Sequence, residues 1–181
     1  VVHISTDQVY DGLGNHQEAD VILRNFYSYS KYCAELVLST IPATILRTNF
    51  FGKSENKRDQ SFSDWVLDSL RAGKAIKLFT DVSFSPISLV TMKKMMHKII
   101  EQQHPGIFNL GSKNGMSKRD FILALAEVFN LSTNNCEDAL STDFKLKALR
   151  PKNMQMDSSK FERTFGVNLP DLKQEIFSLR H

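Results

Sequence analysis

Ile4-Ser5-Thr6-Asp7-Gln8-Val9-Tyr10-Asp11-Gly12 and, downstream, Phe26-Tyr27-Ser28-Tyr29-Ser30-Lys31 are the two runs from which the architecture can be read. Val1 to Ile4 is a short apolar, β-branched run that predicts a buried strand. Ser5-Thr6-Asp7 then falls at its carboxyl end, and in open α/β sheets ligands collect outside that end of the strands. Phe26 to Leu38 predicts a helix stopped before Pro42. On it Tyr27 and Lys31 are spaced i,i+4, so phenol and ammonium share one face, a turn apart. A nearby cation favours the phenolate, which suits a tyrosine to proton exchange with a carbonyl substrate. The same spacing arises by chance on many solvated helix faces, so the pair needs its neighbourhood to carry meaning. Tyr29, two residues from Lys31, is expected to point elsewhere.

The rest of the chain alternates strand and helix signals. Ala43 to Arg47 reads as the next strand, followed by Thr48-Asn49-Phe50-Phe51-Gly52. Lys53 to Gln60 is a polar loop, after which Ser61 or Ser63 caps a helix carrying Phe62, Trp65, Val66, Leu67 and Leu70. Ile76 to Phe79 is a short strand. Ser88 to Gln102 is a helix whose apolar stripe of Val90, Met95, Met96, Ile99 and Ile100 is assigned to the core. Gly106 to Leu110 returns as a strand, and Ser117 opens a helix with a capping-box pattern at Ser117 and Asp120. Asn130 to Thr142 reads as irregular, and Asp157 to Phe165 and Leu169 to Leu179 as terminal helices. This alternation predicts an α/β fold: the C-terminal part of a Rossmann-like doubly wound parallel sheet plus a small, mainly helical lobe. The expected division is 1–58 with the Tyr27 helix and 59–181 as the lobe, strand 106–111 returning to the first sheet.

These motifs resemble those of the dTDP-4-dehydrorhamnose reductase family, within the extended short-chain dehydrogenase/reductases. Residues 5–12, STDQVYDG, are similar to that family's STDYVFDG, and Tyr27 and Lys31 fall where it carries YxxxK. Leu46-Arg47-Thr48-Asn49-Phe50-Phe51-Gly52 is similar to its LRTxxxYG, and Gly106-Ile107-Phe108-Asn109-Leu110-Gly111 to its GIYHL(T/S)G strand. Leu149-Arg150-Pro151-Lys152-Asn153 with Asp157-Ser158-Ser159-Lys160-Phe161 resembles RPxNSxLDxSK. The resemblance implies NADPH (or NADH) as cofactor and a nucleotide-activated deoxysugar as substrate, dTDP-4-dehydro-6-deoxy-L-mannose being reduced to dTDP-L-rhamnose. It implies Tyr27 as proton donor, Lys31 as its cationic neighbour and ribose ligand, and Thr6 as the holder of the keto oxygen, with Ser5 a lesser alternative. Ser5 and Asn49 join these three on the cofactor side, and Asp7 and Phe50 lie on the substrate side. Arg150 has two readings, a substrate-phosphate ligand or a buried bridge tying the lobe to the sheet.

Departures from the family qualify this. Asp81-Val82-Ser83-Phe84-Ser85-Pro86-Ile87 stands where the family writes DQxGxPT, and Met154 and Met156 replace its Ser and Leu. Another sugar specificity, an epimerase, or a non-enzymatic cofactor-binding relative are therefore the alternatives. None of the eight glycines forms GxxGxxG or GxGxxG. The chain is accordingly expected to be a C-terminal fragment, inactive alone and weak in binding NADPH.

Composition adds exclusions. The net charge of +3 arises from 23 basic and 20 acidic residues mixed along the chain, without the basic, aromatic-interleaved surface of a nucleic-acid binder. The basic blocks Lys113–Arg119 and Lys145–Lys152 are read as solvated surface or as attraction for a nucleotide diphosphate. The two cysteines, Cys33 and Cys136, predict no disulfide framework, and Cys33 is read as a small packed helix residue. The five histidines lack metal-ligand spacing, so no metal is expected. No membrane span or signal peptide is seen, which places the expected protein in the cytoplasm. The expected partner is the nucleotide sugar, with a homodimer open.

Overall fold

The computed structural model describes residues 1–54, 60–145 and 148–180. In chain order the strands and helices are β1 (Val2–Ile4), α1 (Phe26–Leu38), β2 (Thr44–Thr48), β3 (Phe50–Phe51), α2 (Phe62–Arg71), β4 (Ile76–Phe79), β5 (Ser83–Phe84), β6 (Ile87–Ser88) and α3 (Leu89–Gln102). They continue as β7 (Gly106–Leu110), β8 (Met116–Ser117), α4 (Lys118–Val128), β9 (Cys136–Ala139), β10 (Asn153–Met154), α5 (Ser159–Phe165) and α6 (Leu172–Phe177). The first sheet runs β1-β2-β7, all parallel, with His3 opposite Ile45 and Arg47 opposite Asn109. Smaller ladders join β10, β5 and β8, then β3 with β6, and β4 with β9.

Side-chain alternation along β2 and β7 sends two kinds of residue to opposite faces. Leu46, Phe108 and Leu110 pack with Met92 and Ile99 of α3 and with Phe161 and Phe165 of α5. Arg47 and Asn109 face the other way, toward the α1 side, and are as fully buried. The second core unites α2, α4 and α6 around Phe51, Val66, Phe84, Phe121, Leu125, Leu172 and Ile176. Phe121 is its hub, with ring contacts to Phe51 at 5.1 Å and Phe84 at 5.2 Å. Gly111 is required where β7 ends, because a Cβ there would come within 2.5 Å of the Ser85 carbonyl.

Several sequence expectations need correction. Cys136–Ala139 lies in the stretch read as irregular, yet pairs in parallel with β4, Ile76 opposite Cys136. Its exposed central residues, Glu137 and Asp138, give no apolar alternation to read. On α3 the buried residues are Met92 and Ile99, whereas Val90 and Ile100 are exposed, since a 3.6-residue period carries them off the core face. Cys33 is exposed rather than packed. At α4, Ser117 caps through its hydroxyl, accepting from the Asp120 N–H at 3.0 Å. The Asp120 carboxylate accepts from that hydroxyl, so the reciprocal capping box is absent. The 58/59 boundary and most of the polar 53–60 loop lie outside the described residues.

Candidate active site

Where β1 ends, Thr6 turns the chain into a short 3-10 helix over Asp7–Val9, its hydroxyl accepting the Gln8 N–H at 3.2 Å. This places Ser5, Thr6 and Asp7 at the carboxyl edge of the sheet, all three buried. Asp7 accepts from the Asn49 amide at 2.8 Å, which joins the ends of β1 and β2. Burial pushes the Asp7 carboxyl up to about 6, against the lowering effects of Asn49 and of Lys118.

Helix α1 opens with a capping box. The Ser28 N–H donates to the Asn25 side chain at 2.9 Å, and the Asn25 N–H to Ser28 Oγ at 3.3 Å. That cap fixes the first turn, on which Tyr27 stands 49% exposed. One turn on, the Lys31 ammonium donates to the Ile4 carbonyl at 2.9 Å, at the last residue of β1. The Tyr27 and Lys31 face of α1 is therefore tied to the strand end that carries Thr6. Tyr29 is exposed, and both tyrosines line one cavity of about 600 Å³ that Lys31 does not line.

Beneath this edge lies a buried polar network that the sequence did not announce. Glu35, on α1, accepts from Arg47 Nη2 at 2.6 Å and from Arg47 Nε, and it also accepts the Ser5 hydroxyl. Both charged side chains are all but solvent-free, at 1% and 0% exposure. Arg47 Nη1 donates to the Tyr10 hydroxyl at 2.8 Å and to the Glu18 carbonyl at 2.6 Å; the Tyr10 hydroxyl donates to Asn109 at 2.6 Å. Burial outweighs the neighbouring cation and holds the Tyr10 phenol up at about 12, so it stays a protonated donor. The network pins α1, β1, β2 and β7 to one another behind Thr6.

Two adjoining chambers open on the other side. The larger is lined by Leu23, Phe26, Tyr27, Tyr29 and Leu149; the smaller, about 270 Å³, by Asn49, Phe62, Phe79, Phe84 and Lys118. Gln8 and Arg150 line both and form the divide between them. Phe84 and Met154, two of the departures noted in the sequence, are neighbours in register on β5 and β10 and wall the smaller chamber. Arg150 is exposed and has no hydrogen-bond or ion-pair partner among the described residues, so its reading as a buried bridge is corrected. Asp11 ties that segment down instead, accepting the Lys152 N–H at 3.0 Å and the Arg24 side chain at 2.6 Å. Asp11 is held below the usual carboxylate range, its burial being outweighed by these donors.

The structure thus brings Tyr27 and Arg150 to one cavity, and Asn49 and Arg150 to the next. Ser5, Thr6, Asp7 and Lys31 line neither, and stand behind them at the strand end. Phe50 is apart, half exposed in a separate hollow with Leu89. Sequence reasoning missed Gln8 and Lys118, although Lys118 falls within a block already noted as basic. Among the described residues no cluster of His, Cys, Asp and Glu could hold a metal ion, and no helix is long and apolar enough to cross a membrane.

Residues 1–179 match the family described as RmlD substrate binding domain. The chain belongs to this family. It is 28% identical over 185 residues to the probable low-salt glycan biosynthesis reductase Agl14 of Haloferax volcanii, covering 98% of this chain and 62% of the relative. It is 24% identical to a dTDP-4-dehydrorhamnose reductase of Sinorhizobium fredii, covering 96% and 63%. The crystal structure of dTDP-4-dehydrorhamnose reductase from Bacillus anthracis in complex with NADP superposes with a TM-score of 0.87 at 22% identity, covering 98% of this chain and 64% of that one. The chain therefore spans somewhat under two thirds of these proteins' length. The shared architecture is the Rossmann-like α/β fold expected from the sequence.

Proposed function

We propose that this chain supplies the proton-transfer and substrate-binding part of an NADPH-dependent reductase of nucleotide-activated deoxysugars, converting dTDP-4-dehydro-6-deoxy-L-mannose to dTDP-L-rhamnose. The observation that carries the reading is the docking of the Tyr27–Lys31 face onto the end of β1 by the Lys31 bond to the Ile4 carbonyl. The family membership and the reductases among its relatives support it.

The residues present suit the nicotinamide end of such a cofactor. An ammonium and two hydroxyls (Lys31, Ser5, Thr6) stand at the end of β1, an amide (Asn49) at the end of β2, and the exposed phenol of Tyr27 is on the helix that Lys31 ties to β1. When bound, the nicotinamide supplies hydride to the keto carbon. Tyr27 gives its phenolic proton to the resulting alkoxide oxygen. Lys31 stabilises the phenolate left behind and offers its remaining donors to a ribose hydroxyl. Thr6 holds the keto oxygen from the strand end. Ser5 is less free for that task, because its hydroxyl is engaged by Glu35. The site operates in the cytoplasm in this reading.

The test is NADPH absorbance with the full-length protein that carries this chain and the dTDP-linked keto sugar. Tyr27→Phe is expected to lower kcat by about 10²- to 10⁴-fold, while Tyr29→Phe leaves it within a few-fold. Undiminished turnover in Tyr27→Phe sinks the assignment. A second reading, another sugar nucleotide, is favoured by the bulk of Phe84 and Met154 in the smaller chamber. Turnover of a different keto-sugar nucleotide alone would select it.

A further inference from the structure

Asn25 holds two distant segments with the two ends of one amide. Its carbonyl oxygen accepts the Ser28 N–H at 2.9 Å, which caps α1 two residues before Tyr27. Its amide nitrogen donates to the Leu149 carbonyl at 2.8 Å. Ala148, Leu149 and Arg150 wall the cavity that Tyr27 also lines. Among the described residues, the Asn25 contact is the one hydrogen bond that residues 148–150 make. Little else anchors them, since Leu149 is 75% exposed and Pro151, which follows Arg150, has no N–H to give. The foot of the wall is fixed separately. Asp11 accepts both the Lys152 N–H and the Arg24 side chain, and the Lys152 ammonium pairs with Asp81 at 2.9 Å. Arg24 and Asn25, the two residues that lead into α1, are thus each tied to the 149–152 stretch.

The residue type at position 25 matters here. A helix cap needs only an acceptor, which Ser, Thr or Asp supplies as well as Asn. Asn alone among these adds an amide donor to that acceptor, and Asp, of the same shape, has none. With the wall bonded to the turn that bears Tyr27, a displacement of one is carried to the other. Proton transfer is sensitive to such a spacing, because donor and acceptor must meet at about 3 Å.

We infer that Asn25 is a positioning residue that couples the 148–150 wall to Tyr27, so that a substrate lying against the wall and the phenol that protonates it keep one spacing. The inference rests on the function proposed above and adds the residue that sets Tyr27 against the substrate. Asn25 touches no reacting atom in this role.

Two variants separate the bonds. Asn25→Asp keeps the shape and the cap and loses the donor; Asn25→Ser keeps a capping oxygen, adds no charge and falls short of Leu149. Both should melt close to wild type. In the full-length protein, with NADPH and the dTDP-linked keto sugar, both should lower kcat roughly three- to tenfold, the value of one neutral hydrogen bond, with KM little changed. The same loss in Asn25→Ser as in Asn25→Asp excludes an effect of the new carboxylate on Tyr27. In carbon-13 NMR spectra of this chain, the Leu149 carbonyl and Tyr27 ring resonances should move together in Asn25→Ser, while those of α1 beyond its second turn stay in place. Wild-type kcat in both variants overturns the coupling. So does a rise in KM alone, or a Leu149 shift that leaves Tyr27 unmoved. The two readings fail separately. Joint movement of the resonances without keto-sugar reduction by wild type leaves the coupling standing and removes the reductase, whereas reduction with wild-type kcat in both variants does the reverse.

Discussion

Two arginine-centred regions flank the end of β1, and they are built on opposite terms. Arg47 is buried with Glu35 as its bidentate partner, and Tyr10 and the Glu18 carbonyl take its remaining donors. Arg150 is exposed with no bonding partner among the described residues, and Lys118 is walled by rings rather than carboxylates. The first arrangement satisfies every charge internally, which is what a scaffold requires. The second leaves positive charge open to a chamber, which is what a ligand site requires. The same residue type is thus structural on one side of the strand end and available on the other.

The contrast breaks most severely at Arg47. Arg47→Met strands a carboxylate that is 0% exposed, with the Ser5 hydroxyl as its chief remaining partner. Removing one member of a buried pair typically costs 3–5 kcal/mol, roughly. Urea unfolding should show a loss of that order. Adding Glu35→Leu to Arg47→Met should recover a large part of it, because two apolar groups leave no orphaned charge. A double variant as unstable as the single one would mean that the network contributes through packing alone.

How much of this was legible follows the same division. The Tyr27 helix, the strand end at Ser5-Thr6-Asp7 and the return of residues 106–110 beside β2 are written in local periodicity and capping, and the structure has these elements at or within a residue or two of the positions read. Glu35 and Arg47 were each visible, one as a helix charge and one inside a strand, but their pairing across sequence and their burial depend on how α1 lies on the sheet. Lys118 looked like one more surface cation, and only the folding of α2 and β5 around it supplies the rings. Strand β9 was missed because its pairing with β4 comes from tertiary placement, not from β-forming residues. Charge and alternation are local signals, whereas the state of a charge is decided by its neighbours.

A middle-sized effect is expected at Asp7, which stands between the two regions. Its folded pKa of about 6 lies above the reference value of 3.8, so the native state binds the proton more readily than the unfolded chain. Stability from this group is therefore present at low pH and lost as pH rises through about 6. Asp7→Asn keeps an acceptor for Asn49 and removes the charge. It should stabilise the protein at neutral pH by on the order of 2 kcal/mol, with one pKa unit equivalent to about 1.4, and the gain should vanish by pH 4. Thermal melts across that range check it, and a variant that tracks wild type at every pH would show that Asp7 is not the titrating group.

The smallest effect has the sign opposite to that at Arg47. Lys118 loses no ion pair on substitution, and its lowered pKa means that the folded state disfavours the charge. Below its folded pKa that disadvantage is complete, and it shrinks as pH rises toward the reference value of 10.5. Lys118→Met should therefore raise stability slightly at pH 7, by less than about 1 kcal/mol, since the lost attraction to the Phe62 and Phe84 rings offsets part of the gain. The advantage over wild type should narrow in melts carried toward pH 10. A Lys118→Met protein less stable than wild type without ligand would make Lys118 a second structural cation like Arg47, and would erase the distinction between the two regions.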